Sequence, residues 1–113
     1  MNDDCIFCKI VKGDLPAQIV FQDGEVTAFR DINPVKPVHI LIIPNRHIAS
    51  TNALTEADEA LIGRLVNVGR QLAADEGVDE SGYRLVINTG PQAGQTVYHL
   101  HLHLLGGQEM PFH

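Results

Sequence analysis

Positive charge is scarce in this chain: eight Lys and Arg stand against fourteen Asp and Glu, for a formal charge of −6. A protein that tracks a long nucleic acid needs a basic footprint, so no nucleic-acid polymer is expected as a partner. The few cations are scattered rather than clustered, which leaves no polybasic patch for a membrane surface. Long apolar runs are lacking too. The opening Met1-Asn2-Asp3-Asp4 is acidic and no apolar stretch follows it, so neither a signal peptide nor a membrane span is expected, and the default location is cytoplasmic. Repeats and low-complexity tracts are absent. With 44% hydrophobic residues in 113, the expectation is one domain over 1–113 with a single core.

Cysteine is nearly absent as well. The two present, Cys5 and Cys8, have a spacing that suits two thiolates on one zinc, but they are only half of a tetrahedral site. The competing readings are a pair of buried thiols and a redox motif, and the latter normally sits in a thioredoxin-like βαβ setting. No βαβ alternation is found here, which argues against a Rossmann-type domain. The pattern reads instead as α+β. Gln18 to Gln22 and Val26 to Arg30 are strands around an Asp23-Gly24 hairpin signal. Val38 to Ile43, almost wholly apolar and stopped by Pro44, belongs in the middle of a sheet. Thr55 with Asp58 reads as a capping box, and Ala57, Leu61, Leu65, Val68 and Leu72 form one apolar stripe of a long helix ending near Gly77. Tyr83 to Asn88 and Tyr98 to Leu105 complete about five antiparallel strands. Ile6 to Val11 is expected to form a helical turn.

What the chain does contain is concentrated near its end. Tyr98-His99-Leu100-His101-Leu102-His103-Leu104-Leu105 spaces three histidines by two. On a strand, alternate residues share a face, so His99, His101 and His103 are expected on one side and Leu100, Leu102 and Leu104 in the core. Imidazole is accessible in both protonation states near neutral pH, and it serves as nucleophile, acid, base or metal ligand. His-x-His on a strand also suits zinc. Ahead of the histidines, Gly90-Pro91-Gln92-Ala93-Gly94-Gln95-Thr96 supplies two glycines, an amide and a hydroxyl. Backbone N–H groups in such a loop approach an anion closely. Loop and strand together read as a cradle that holds a phosphate beside an imidazole nucleophile.

With its alternating hydrophobics, His99-Leu100-His101-Leu102-His103-Leu104-Leu105 resembles the signature of the histidine triad (HIT) superfamily of nucleotide hydrolases and transferases. Ile6-Phe7-Cys8-Lys9-Ile10, Phe29-Arg30-Asp31-Ile32, Pro37-Val38-His39-Ile40-Leu41-Ile42-Ile43-Pro44 and Gly94-Gln95-Thr96-Val97-Tyr98 fall where that family has matching segments, and Leu104-Leu105-Gly106-Gly107-Gln108-Glu109-Met110 looks most like the Hint branch. The resemblance implies a HIT-like fold that pairs as a homodimer. It implies hydrolysis of a nucleoside 5′-phosphoramidate, adenosine-based, with a purine nucleotide as ligand. Alternative activities are dinucleoside polyphosphate hydrolysis and a nucleotide-binding or zinc-scaffolding role without turnover.

By the same resemblance His101 is the nucleophile that forms a nucleotidyl-histidine, and His103 contacts the phosphate or leaving group. His99 either orients His101 or joins a structural zinc (Zn2+) with Cys5, Cys8 and His47; the chemistry itself requires no cofactor. Gln95, Thr96 and Gly94 are expected at the phosphate, with Asn88 beside it and His39 near the nucleophile. Asp31 is expected to accept from the ribose hydroxyls, while Ile6, Phe7, Ile10, Phe29 and Ile32 form the apolar slot for the base. His113 carries no assignable role, and the Pro111-Phe112-His113 tail departs from the Hint ending.

Overall fold

A computed structural model describes residues 4–111; His113 lies outside them. Helix α1 spans Ile6–Lys12, followed by strands β1 (Ile19–Gln22), β2 (Val26–Arg30) and β3 (Val38–Pro44). Helix α2 covers Glu59–Asp75, and strands β4 (Tyr83–Ile87) and β5 (Leu102–Gly106) close the chain. The strands form one sheet in the order β1-β2-β3-β5-β4, antiparallel at every junction. The apolar β3 is central, as its composition demands, and is buried along its whole length. Among the described residues no helix is long and apolar enough to cross a membrane.

β3 is buried throughout because both faces of the sheet are covered. Val26, Ala28, Ile40, Ile42, Leu102 and Leu104 point to one side, where they meet Leu65, Val68 and Leu72 of α2. Phe29, Leu41 and Ile43 point to the other, where Phe7, Cys8 and Ile10 of α1 cover them. His39 and His103 share this second face: Leu41 pairs with His103, which places His39 diagonally across from it. Gly69 sets how close α2 comes to the sheet. A Cβ there would lie 3.0 Å from a Leu85 methyl and 3.2 Å from an Ile42 methyl, so a larger residue would force those side chains to shift.

Three sequence expectations shift in detail. The hairpin does turn at Asp23-Gly24, yet Gly24 has no positive φ. The turn is held by the Asp23 carboxylate, which accepts from the N–H groups of Glu25 and Val26 at 2.8 Å each. Thr55 and Asp58 do form a capping box, but it caps a 3-10 turn, Glu56–Asp58, that leads into α2. Ala57 is accordingly exposed and the buried stripe starts further on, with Leu65, Val68 and Leu72. The largest correction concerns the last strand, which begins at Leu102 and not at Tyr98. Leu100 leaves the ladder by donating its N–H to Ile48 O at 2.7 Å. His99 and His101 therefore precede the paired strand, yet the alternation persists: Leu100, Leu102 and Leu104 pack on the α2 side, and His99, His101 and His103 lie on the α1 side.

Candidate functional site

Because the chain enters β5 through an irregular stretch, residues 99 to 103 serve two different places. Leu100 and Leu102 remain in the core as expected. His101 and His103 face a cleft of ≈ 320 Å³, whereas the His99 ring, on the same side of the sheet, is buried against Cys5, Cys8 and His47.

The cleft lies on the α1 side of the sheet. Phe7 and Phe29 meet edge to face in it, with ring centroids 5.3 Å apart, and Phe7 stands edge-on to His101 at 5.2 Å. Ile6, Ile10, Asp31, Ile32 and Thr96 line it too. Ile32 is 88% exposed, so it stands at the mouth and not in the core. Leu15, Pro16 and Val97 also line the cleft. Sequence reasoning missed these three, because they sit in irregular segments where no periodicity marks a face.

Hydrogen bonds fix the imidazole tautomers. His101 Nδ1 lies 2.7 Å from the His99 carbonyl, which can only accept. Nδ1 therefore carries the proton, and Nε2 is left with a bare lone pair. His39 Nδ1 accepts the Val35 N–H at 3.1 Å, so its proton resides on Nε2, 3.0 Å from His103 Nδ1. His103 accordingly accepts at Nδ1 and carries its own proton on Nε2. Burial, with the neighbouring His101 and His39, pushes His103 down to about 4, so it is a neutral donor at physiological pH. His39 is buried beneath this pair, where burial lowers its pKa against the opposing pull of Asp31.

The loop before the histidines is stiffened from inside. Gly90 and Gly94 both take positive φ, 84° and 82°, around the 3-10 turn Pro91–Ala93. Gln95 is buried; its amide donates to Ala49 O and Val97 O, and its Oε1 accepts the Gly90 N–H. Its donors thus brace the loop and do not line the cleft. Thr96, exposed beside it, does reach the lining. Gly94, Asn88 and His39 are outside the lining residues.

The second place lies under α1. The donor atoms of Cys5, Cys8, His47 and His99 all fall within 4.8 Å of one another. His99 Nδ1 is 3.3 Å from Cys5 Sγ, 3.5 Å from Cys8 Sγ and 3.3 Å from His47 Nδ1; His47 Nδ1 is 3.4 Å from Cys8 Sγ. Ligand bonds of 2.0–2.3 Å in a tetrahedron set donor separations of roughly 3.3 Å for N···N and about 3.5 Å for S···N, and the cluster matches both. His99 Nε2 donates to Pro44 O at 2.8 Å, which leaves Nδ1 as a lone pair aimed inward, the orientation that ligating histidines take from an outer partner. These four residues can hold a metal ion. The sequence marked all four but not the Pro44 carbonyl that aims His99, because a backbone acceptor has no signature in side-chain identity.

Known proteins share this chain's pattern. The HIT domain family matches residues 12–110. The purine nucleoside phosphoramidase of Escherichia coli (strain K12) is 48% identical over 110 residues, covering 97% of this chain and 92% of that protein. A HIT family hydrolase from Legionella pneumophila superposes with a TM-score of 0.95 at 49% identity, covering 96% of this chain and 97% of that one. A histidine triad protein from Clostridium difficile superposes at 0.97 with 38% identity, covering 100% and 98%. With its sheet, its histidines and these relatives in agreement, the chain belongs to the HIT family.

Proposed function

We propose that the protein hydrolyses purine nucleoside 5′-phosphoramidates, with His101 as the nucleophile. One observation carries this reading: the His99 carbonyl holds the His101 proton on Nδ1, so that a bare Nε2 faces the cleft. Nε2 attacks the α-phosphorus, the P–N bond breaks, and the amine leaves with a proton taken from solvent, giving a cationic nucleotidyl-histidine. Water then attacks the same phosphorus and gives a proton back to solvent, the N–P bond breaks, and the nucleoside monophosphate and neutral His101 are released. His103 Nε2–H and the Thr96 hydroxyl donate to the phosphate or leaving group, while Gln95 and Gly94 hold the loop in shape. Phe7 and Phe29, with Ile6, Ile10 and Ile32, enclose the base, and Asp31 accepts from the ribose hydroxyls. The 48% identity to a purine nucleoside phosphoramidase over nearly the whole chain supports this substrate class.

Zinc belongs to the same proposal. Two thiolates and two imidazoles make a closed tetrahedral set with no open position for water, which suits a structural ion. Bound there, the ion would tie α1, and with it the base slot, to the end of β3 and the approach to β5. We also include a homodimer, in which the β4 edge of the sheet meets a second copy.

The test is a panel of purified protein with an adenosine phosphoramidate, a guanosine phosphoramidate and diadenosine polyphosphates, following release of the monophosphate. Preferred cleavage of the phosphoramidates supports the proposal. Faster turnover of the diadenosine compounds reassigns the substrate, and no turnover of any of them leaves a binding module.

A further inference from the structure

Ribose binding accounts for only part of the surroundings of Asp31. Its Oδ1 accepts the Asn33 N–H at 2.8 Å, and its Oδ2 lies 3.5 Å from His39 Nε2. That nitrogen is the one facing His103 Nδ1 at 3.0 Å. We propose that Asp31 is also a positioning residue for His103: its carboxylate keeps the proton on His39 Nε2, which holds His103 as an Nε2–H donor towards the substrate.

The geometry leaves little alternative for His39. A lone pair on its Nε2 would face a carboxylate oxygen on one side and the His103 Nδ1 lone pair on the other, both of them acceptors. At the opposite end of the ring the Val35 N–H already occupies Nδ1, so the two ends enforce the same tautomer. The His39 and Asp31 side chains are only 5% and 22% exposed, which limits how far water can relieve the repulsion. Of the charged groups acting on His39 and His103, Asp31 raises their affinity for a proton, whereas His101 lowers it. One carboxylate thus serves both the sugar end and the phosphate end of the cleft.

This inference rests on the reading of His103 as a donor to the reacting phosphate. The experiment compares a ribonucleoside phosphoramidate with its 2′,3′-dideoxy analogue, using the intact protein and Asp31→Asn. If Asp31 touches only the sugar, the substitution has no effect on kcat for the dideoxy substrate, and that result would overturn the proposal. The expected result is a loss of about tenfold in kcat, the usual scale for a contact to a charged group, with both substrates. In a His39→Gln background, Asp31→Asn should cause no further loss of kcat. Asp31→Glu keeps the charge and should recover part of the kcat lost on the dideoxy analogue. A second readout needs no turnover: ¹⁵N NMR of the histidine rings should show His39 and His103 leaving their single tautomers in Asp31→Asn. Unchanged ring shifts would count against the inference. A protein that cleaves no phosphoramidate defeats the proposed function, while the ring shifts still decide the role of Asp31.

Discussion

Two groups of imidazoles lie a few ångströms apart in this protein, and the same residue type does opposite things in them. Around His99, nitrogen lone pairs and thiol sulfurs converge: His99 Nδ1 and His47 Nδ1 face each other at 3.3 Å with Cys5 and Cys8 alongside. Around His103, donors and acceptors alternate along a line, from Val35 N–H through His39 to His103. Converging acceptors want a cation at their centre; an alternating chain wants a substrate at its end. What differs is which ring nitrogen the backbone has claimed. Pro44 O takes Nε2 of His99 and turns Nδ1 inward, while His99 O takes Nδ1 of His101 and leaves Nε2 facing the cleft.

The largest expected effect breaks the phosphate-facing group. His101→Ala should lower turnover by about three orders of magnitude or more, as loss of a nucleophile does, while AMP binding, measured by calorimetry, stays within a few-fold. Near-normal hydrolysis would refute a covalent mechanism. Next comes the converging group. The Cys5→Ser/Cys8→Ser double variant should lose stoichiometric zinc in metal analysis and melt about 10 °C lower, the shift that a loss of a few kcal/mol produces in a domain of this size. Its loss of turnover should be far smaller than that of His101→Ala, since a closed site activates no water. An unchanged melting temperature together with retained metal would break the contrast.

A third experiment sharpens it through pH. His103 titrates at about 4 in the fold, against ~6.5 in an unfolded chain. Between these values the unfolded state binds more protons, so the contribution of His103 to stability is fully present above pH 6.5 and is lost as pH falls towards 4. His103→Gln should therefore flatten the fall in melting temperature over that window. A profile as steep as that of the unaltered protein would mean that His103 is not held neutral. The smallest effect is expected at Phe7, whose ring touches both groups, edge-on to His99 at 5.9 Å and to His101 at 5.2 Å. Phe7→Leu removes edge contacts of about 1 kcal/mol each and should weaken AMP binding a few-fold and lower Tm by a few degrees. A change in only one of the two readouts would show that the groups are mechanically separate.

Much of the fold is legible in the residues. The unbroken apolar run of β3 requires a central strand, the Leu65, Val68 and Leu72 spacing requires a buried helix face, and Thr55 with Asp58 announces the helix start. The turn at Asp23 is legible too, though its mechanism is the carboxylate and not the glycine. At the site, the slot residues Phe7 and Phe29 and the histidines His101 and His103 do share one cleft. Gln95 shows where such reading stops. An amide in a glycine-rich loop suggests a phosphate donor, but its hydrogens are taken by Ala49 O and Val97 O, and backbone acceptors from distant segments leave no trace in the sequence.

The sequence by itself determined the chemistry on offer: imidazoles alternating with leucines, two thiols one helical turn apart, and a turn-rich loop ahead of them. Alternation of hydrophobic residues is a local property, and it sent Leu100, Leu102 and Leu104 into the core whether or not the backbone stayed in the ladder. Only the tertiary structure decided which partners the imidazoles would meet on their shared side, the thiols and His47 for His99 and the cleft for His101. That choice depends on Ile48 O drawing Leu100 N–H out of the sheet, on Pro44 O holding the His99 ring, and on Cys5 arriving from 94 residues away. The side a residue takes followed period two even ahead of the paired strand, but which groups it meets on that side was chosen by long-range contacts, which local alternation cannot encode.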